Sequence, residues 1–181
     1  MAEIKSTIEL AMERTKQISI SEKEKKEMKQ KEVLQKAMGL FYRYREGTLS
    51  WNEILKEIDR MDQQTGKLIK EMLLSQLIDA LSLTDEDERL LKGIESLKQG
   101  DLGEMKRKFY QLFSQYKSAK EKIKKEVRSK RVEALRKEKI SGSAVEPNLE
   151  GDPLWEKEGG NLDRQYRGKL EGFKEQLRGY K

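Results

Sequence analysis

An all-α fold is predicted by three properties of the sequence. Ala, Glu, Lys, Leu and Arg make up 93 of 181 residues, a share typical of long helices and coiled coils. Apolar residues recur at steps of three and four through most of the chain, the period of one helical face. The two prolines, Pro147 and Pro153, fall within one short segment, so the strongest helix breakers are confined to one place.

Burial is scarce. Leu, Ile, Val and Phe number 41 of 181, against 40% charged residues, just above the roughly 20% below which a chain fails to offset its conformational entropy. The finer expectation is therefore a small helical head, an extended coiled-coil-like helical stalk and a C-terminal helix folding back. The boundaries expected are an amphipathic N-terminal helix over 1–20, the helical head over 21–113, a basic helical stalk over 114–139, a Pro/Gly-containing elbow over 140–160 and a C-terminal amphipathic helix over 161–181.

Ile4, Ile8, Ala11, Thr15 and Ile18 advance by four, three, four and three and draw a narrow stripe along one helical face. Ser21 with Glu24 makes a capping box able to start a second helix; the alternative is one helix running through. Leu34, Ala37, Met38, Phe41 and Tyr44 mark the buried face of that second helix. Gly47 ends it, since a residue without Cβ tolerates the left-handed conformation that closes a helix.

Ser50 and Glu53 form a further capping box, ahead of a helix with Ile54, Leu55, Ile58 and Met61 inward. Thr65 and Gly66 punctuate the next junction. Leu68, Ile69, Met72, Leu73, Leu77, Ile78 and Leu81 then give the most apolar helix of the chain. Thr84 with Asp85, Glu86 and Asp87 reads as a helix start, because a hydroxyl caps free amides and acids oppose the positive end of the dipole.

Asp101 and Glu104 open the longest element, in which Leu102, Met105, Phe109, Leu112, Tyr116, Ala119 and Ile123 form a seam that continues through Val127 and Ala134. A helix over 102–139 extends about 57 Å at 1.5 Å per residue, more than a small head covers. The stripe of Ile4 to Ile18 and the seam of Tyr116 to Val127 both need a partner, and pairing one with the other, within the chain or across a dimer, satisfies both. In the last segment Asn161 is a candidate cap for Leu162, Tyr166, Leu170, Phe173, Leu177 and Tyr180, with Gly168, Gly172 and Gly179 weakening the helix.

The chain contains no His and no Cys. Imidazole bases, thiolate nucleophiles, disulfides and the usual zinc ligands are thereby removed. The acids at 85–88 lack the alternating oxygen ligands and central Gly of a calcium loop, and Asp59 with Asp62 implies no acid–base partner. No catalytic residue, metal or cofactor is expected, and no small-molecule substrate is evident. Neither a signal-peptide-like apolar run nor a membrane span is found, so a cytoplasmic location is the default.

Two surfaces remain as candidates. Between Lys117 and Lys139 there are eleven basic and four acidic residues. Within this stretch Lys117, Lys120, Lys124, Arg128 and Arg131 line one side of the helix, about 100° around from the apolar seam. Such a stripe binds a polyanion, or it is simply a solvated flank. The clusters at 41–45 and 106–110 mix aromatic and basic residues, but their helical spacing assigns Phe41, Tyr44 and Phe109 to the core. Leu149, between the prolines, with Leu154 and Trp155 just after the second, either docks a partner or caps the head. The expected function is a non-enzymatic protein-interaction or self-association module; the alternative is a nucleic-acid- or ribosome-binding accessory protein acting through the basic stripe.

Overall fold

The computed structural model describes residues 21–85, 88–98, 100–140, 142 and 147–180. Among them the chain forms six α-helices: α1 (Glu22–Arg45), α2 (Trp51–Asp59), α3 (Gln63–Asp79), α4 (Glu88–Lys98), α5 (Gly103–Lys137) and α6 (Pro153–Gly179). No strand occurs among the described residues. The amphipathic helix expected over 1–20 lies outside them, as do Glu86 and Asp87. Compactness divides the chain between Met72 and Leu73, within α3.

In the first unit, α1 starts at the Ser21 capping box. The Ser21 hydroxyl accepts from the Glu24 amide at 3.1 Å, and the Glu24 carboxylate accepts from the Ser21 amide at 2.8 Å. Ser21 itself has φ −59° and ψ 151°, so the helix does not run through it. Val33, Ala37, Leu40, Phe41 and Tyr44 are the buried positions of α1. Leu34 and Met38, expected inward, are instead 42% and 39% exposed. Both sets recur at helical steps, and the tertiary neighbours select the one centred on Ala37.

Gly47, at φ 77°, closes α1 as expected, and the amides of Thr48 and Leu49 reach back to the Arg43 carbonyl. The second capping box is formed as well, Ser50 and Glu53 bonding reciprocally. Ile54 and Ile58 are buried from α2, and Tyr44 meets Trp51 edge-on at 5.2 Å. Thr65 and Gly66 do not separate helices: both lie in the first turn of α3, where the Asp62 carboxylate accepts from the Thr65 amide at 2.9 Å.

In the second unit, Leu73, Leu77, Ile78 and Leu81 are buried with Leu90, Leu91 and Ile94 of α4. The described part of α4 begins at Glu88; Glu86 and Asp87 of the start expected from Thr84 lie outside the described residues, and the Thr84 amide donates to Ser82 Oγ at 3.2 Å. Asp101 holds the Gly103 amide at 2.8 Å where α5 begins. At 35 residues, α5 is about 52 Å long.

Its apolar seam meets α6. Phe109 contacts Phe173 at 5.7 Å between ring centroids, and Tyr116 contacts Tyr166 at 5.4 Å. Further along, Arg131 pairs with Asp152. Numbers rise on one helix as they fall on the other, so the two run antiparallel. The seam that needed a partner meets α6; the stripe of residues 4–18 lies outside the described residues.

The beginning of α6 corrects the expected elbow. Asp152 caps the helix, its carboxylate accepting from the amides of Leu154 at 2.8 Å and Trp155 at 3.2 Å. Pro153 stands at the first helical position, where its missing N–H leaves no bond unmade. Residues 153–160 are thus helical, and Asn161 lies inside the helix. The far end is tied down by Lys174, which is 7% exposed and donates to the Asp79 carbonyl at 3.0 Å. Arg178 pairs with Asp79, and Lys98 donates to the Tyr180 carbonyl.

Gly168 and Gly172 face open space, with no atom within 4 Å of an added Cβ. Gly168→Ala and Gly172→Ala should each raise unfolding stability by about 0.5–1 kcal/mol, since helix propensity improves without a clash. Chemical denaturation of the single and double variants checks this.

Candidate functional site: the α5–α6 groove

Both sequence-selected surfaces lie where the start of α6 meets α5. The five stripe residues do not act alike. Lys120 donates to the Tyr116 hydroxyl at 2.9 Å, and that hydroxyl donates to Asp163 at 2.7 Å. The Lys120 ammonium also sits 5.2 Å from the Tyr116 ring centroid. The hydroxyl contact raises the Lys120 pKa, with the tyrosine and Asp163 charges adding to it against a burial penalty.

Arg131 is engaged more tightly. Its Nε donates to Asp152, whose side chain is only 5% exposed. The hydrogen bond from Arg131 is the main reason the Asp152 carboxyl is held down to about 2, with the Trp155 and Leu154 amides helping. Lys120 and Arg131 thus work inside the chain, securing α6 to α5. Lys117, Lys124 and Arg128 are exposed.

Beside this latch, Lys124 and Arg128 of α5 face Pro147, Asn148, Leu149, Glu150 and Trp155 across an open groove of about 510 Å³. Leu149 and Trp155 are half-buried in it. The Asn148 side chain accepts from the Glu150 amide at 2.9 Å, and the Asp152 amide reaches back to the Leu149 carbonyl at 3.2 Å. This turn holds Leu149 at the groove. Leu154, half-buried, does not line it. The groove therefore gathers two of the five basic candidates and two of the three apolar ones. It offers an apolar floor with a cationic rim.

No protein-family model, curated protein or solved structure matches the chain.

Sequence reasoning missed a second, larger groove of about 810 Å³, between α1 and the α2–α3 junction, lined by Met28, Lys29, Val33, Met61 and Thr65 among others. The Thr65 hydroxyl is buried there without a hydrogen-bond partner. The signal available was Met28, a lone large apolar residue in the polar run from Glu22 to Glu32. Among the described residues, no group of three or more His, Cys, Asp or Glu could hold a metal ion, and no helix is long and apolar enough to cross a membrane.

Asp152 fixes the sign of a pH dependence. Its folded pKa of about 2 lies below the usual value of about 3.9, so its contribution to stability is complete above about pH 4 and is lost as pH falls toward 2. Asp152→Asn removes this contribution at every pH. The difference in melting temperature between wild type and Asp152→Asn should be largest above pH 4 and should shrink steadily toward pH 2, as circular dichroism melts would show.

Proposed function

We propose that the chain is a non-enzymatic helical interaction or assembly module of the cytoplasm, built as a head with a coiled-coil-like stalk along which the C-terminal helix folds back. Its docking surface is the α5–α6 groove, and one observation carries the reading: a half-exposed Trp155, with Leu149 beside it, lies in an open groove whose far wall carries Lys124 and Arg128. A tryptophan contributes a large contact area with few rotors to order, which suits it to anchoring a partner. The two cations favour a protein segment that brings an apolar anchor flanked by carboxylates.

The nucleic-acid reading is weaker. Phosphate binding draws its strength from the number of cations neutralising the backbone, and two of the five in the stripe already face Asp163 and Asp152.

A tagged full-length protein used for capture from lysate, with and without nuclease and at two salt concentrations, tests this. A discrete protein should survive nuclease treatment, and Leu149→Ala with Trp155→Ala should reduce its recovery at least about tenfold, the loss expected of a central anchor. Lys124→Gln with Arg128→Gln should weaken capture more at low salt than at high salt. Nucleic acid that is recovered steeply salt-dependently and is indifferent to Trp155 would sink the reading, as would capture unchanged by either pair of substitutions.

A further inference from the structure

Helix α1 turns a second apolar face to solvent, in the unit that does not contain the α5–α6 groove. Leu34, Met38 and Tyr42 lie four residues apart, so they follow one side of the helix, and they are 42%, 39% and 50% exposed. The buried positions of α1 lie on a different face. Tyr42 is held in place, its ring meeting that of Phe41 edge-on at 5.4 Å, so a large ring is presented to solvent already ordered. Gly39 lies exposed beside Met38, with no atom within 4 Å of an added Cβ. No described neighbour calls for a glycine there, and in mid-helix it weakens α1 relative to alanine.

We propose that this face pairs with the same face of a second copy of the chain, the two α1 helices running antiparallel about a two-fold axis beside Met38 and Gly39. Charge selects this arrangement. Lys31, Gln35, Met38, Tyr42 and Glu46 advance by four, three, four and four, and all are exposed. Glu46 is the C-cap, and its φ of −71° and ψ of −11° continue the helical face. Neither Lys31 nor Glu46 has an ion-pair partner among the described residues. In the antiparallel register Lys31 stands level with Glu46 of the other copy and Gln35 with Tyr42, and the symmetry makes each contact twice. Parallel pairing sets Lys31 against Lys31 and Glu46 against Glu46 instead.

Each member of the apolar stripe has a counterpart in this register. Met38 meets its own copy on one side of the axis. Leu34 lies on that same side, along the aliphatic stem of Arg45 of the other copy. Gly39 meets its own copy on the other side, where the missing Cβ lets the two backbones approach. The contact runs from Lys31 to Glu46, about 22 Å. One helix pair of that length is smaller than a permanent interface, so the dimer is weak and reversible.

Sedimentation of the full-length chain across the micromolar range should show monomer giving way to dimer as concentration rises. Lys31→Glu and Glu46→Lys should each weaken dimerisation at least roughly tenfold, because each sets like charges opposite one another twice. Mixing the two variants should restore it, since both contacts of the mixed dimer are again of opposite sign, and so should combining the two substitutions in one chain. Recovery on mixing also shows that both variants are folded. Gly39→Leu should weaken dimerisation to a similar degree while raising the melting temperature of the dilute monomer, the reverse of what a structural role for Gly39 gives.

A chain that stays monomeric throughout overturns the proposal. So do charge variants that dimerise like wild type, or that mixing fails to restore. A dimer indifferent to all of these but lost on Trp155→Ala also overturns it, and assigns self-association to the α5–α6 groove.

Discussion

Helix α5 presents a seam too narrow to stand alone, and covering that seam is the constraint on which much of the second unit depends. About 52 Å of helix carries Phe109, Tyr116 and Val127 as buried positions along its length. A chain with 41 Leu, Ile, Val and Phe residues in 181 has little apolar area with which to cover it. Along it runs an antiparallel helix, and α6 meets α5 through tilted aromatic pairs with polar contacts set between and beyond them. Tyr116 does both jobs, packing its ring on Tyr166 while its hydroxyl links Lys120 to Asp163.

The polar ties fix register where apolar stripes alone leave it open. A stripe repeating at three and four residues can slide by a turn with little loss of buried area. The Arg131–Asp152 pair at one end and the Lys98, Lys174 and Arg178 contacts at the other cannot. Lys174 combines both kinds of contact: its stem is buried along α6 and its ammonium satisfies the Asp79 carbonyl at the end of α3.

What could be read from the sequence was whatever is decided locally. The boxes at Ser21–Glu24 and Ser50–Glu53, the glycine closure at Gly47 and the extent of α5 each depend on residues a turn apart, whose side chains and backbone meet in any context. The face of α1 was legible at Ala37, Phe41 and Tyr44, but its edge was not: Leu34 and Met38 satisfy helical period as well as Val33 and Leu40 do, and only distant neighbours choose between them. The start of α6 was missed because Pro153 was weighed as a breaker when its position, just after an Asx cap, makes it an initiator. The groove brought together candidates that had been recognised separately, since Lys124 and Trp155 lie 31 residues apart and spacing says nothing about a chain reversal. The internal use of Lys120 and Arg131 was hidden for the same reason, their carboxylate partners lying on the returning helix.

Groove and latch are also coupled through shared atoms. Trp155 contributes its side chain to the groove and its amide to the Asp152 carboxylate, and that carboxylate holds Arg131 through its other oxygen. On the proposed docking role, a partner that moved the Trp155 ring would act on the first turn of α6 and on the ion pair that secures it to α5. By linkage the influence would be reciprocal: loosening the Asp152 latch would change affinity at the groove by the same factor as occupancy of the groove changed the latch. The proposed anchor thus stands on a buried acid held by an arginine and two amides, which would keep Trp155 ordered before a partner arrived and reduce the entropy lost on docking.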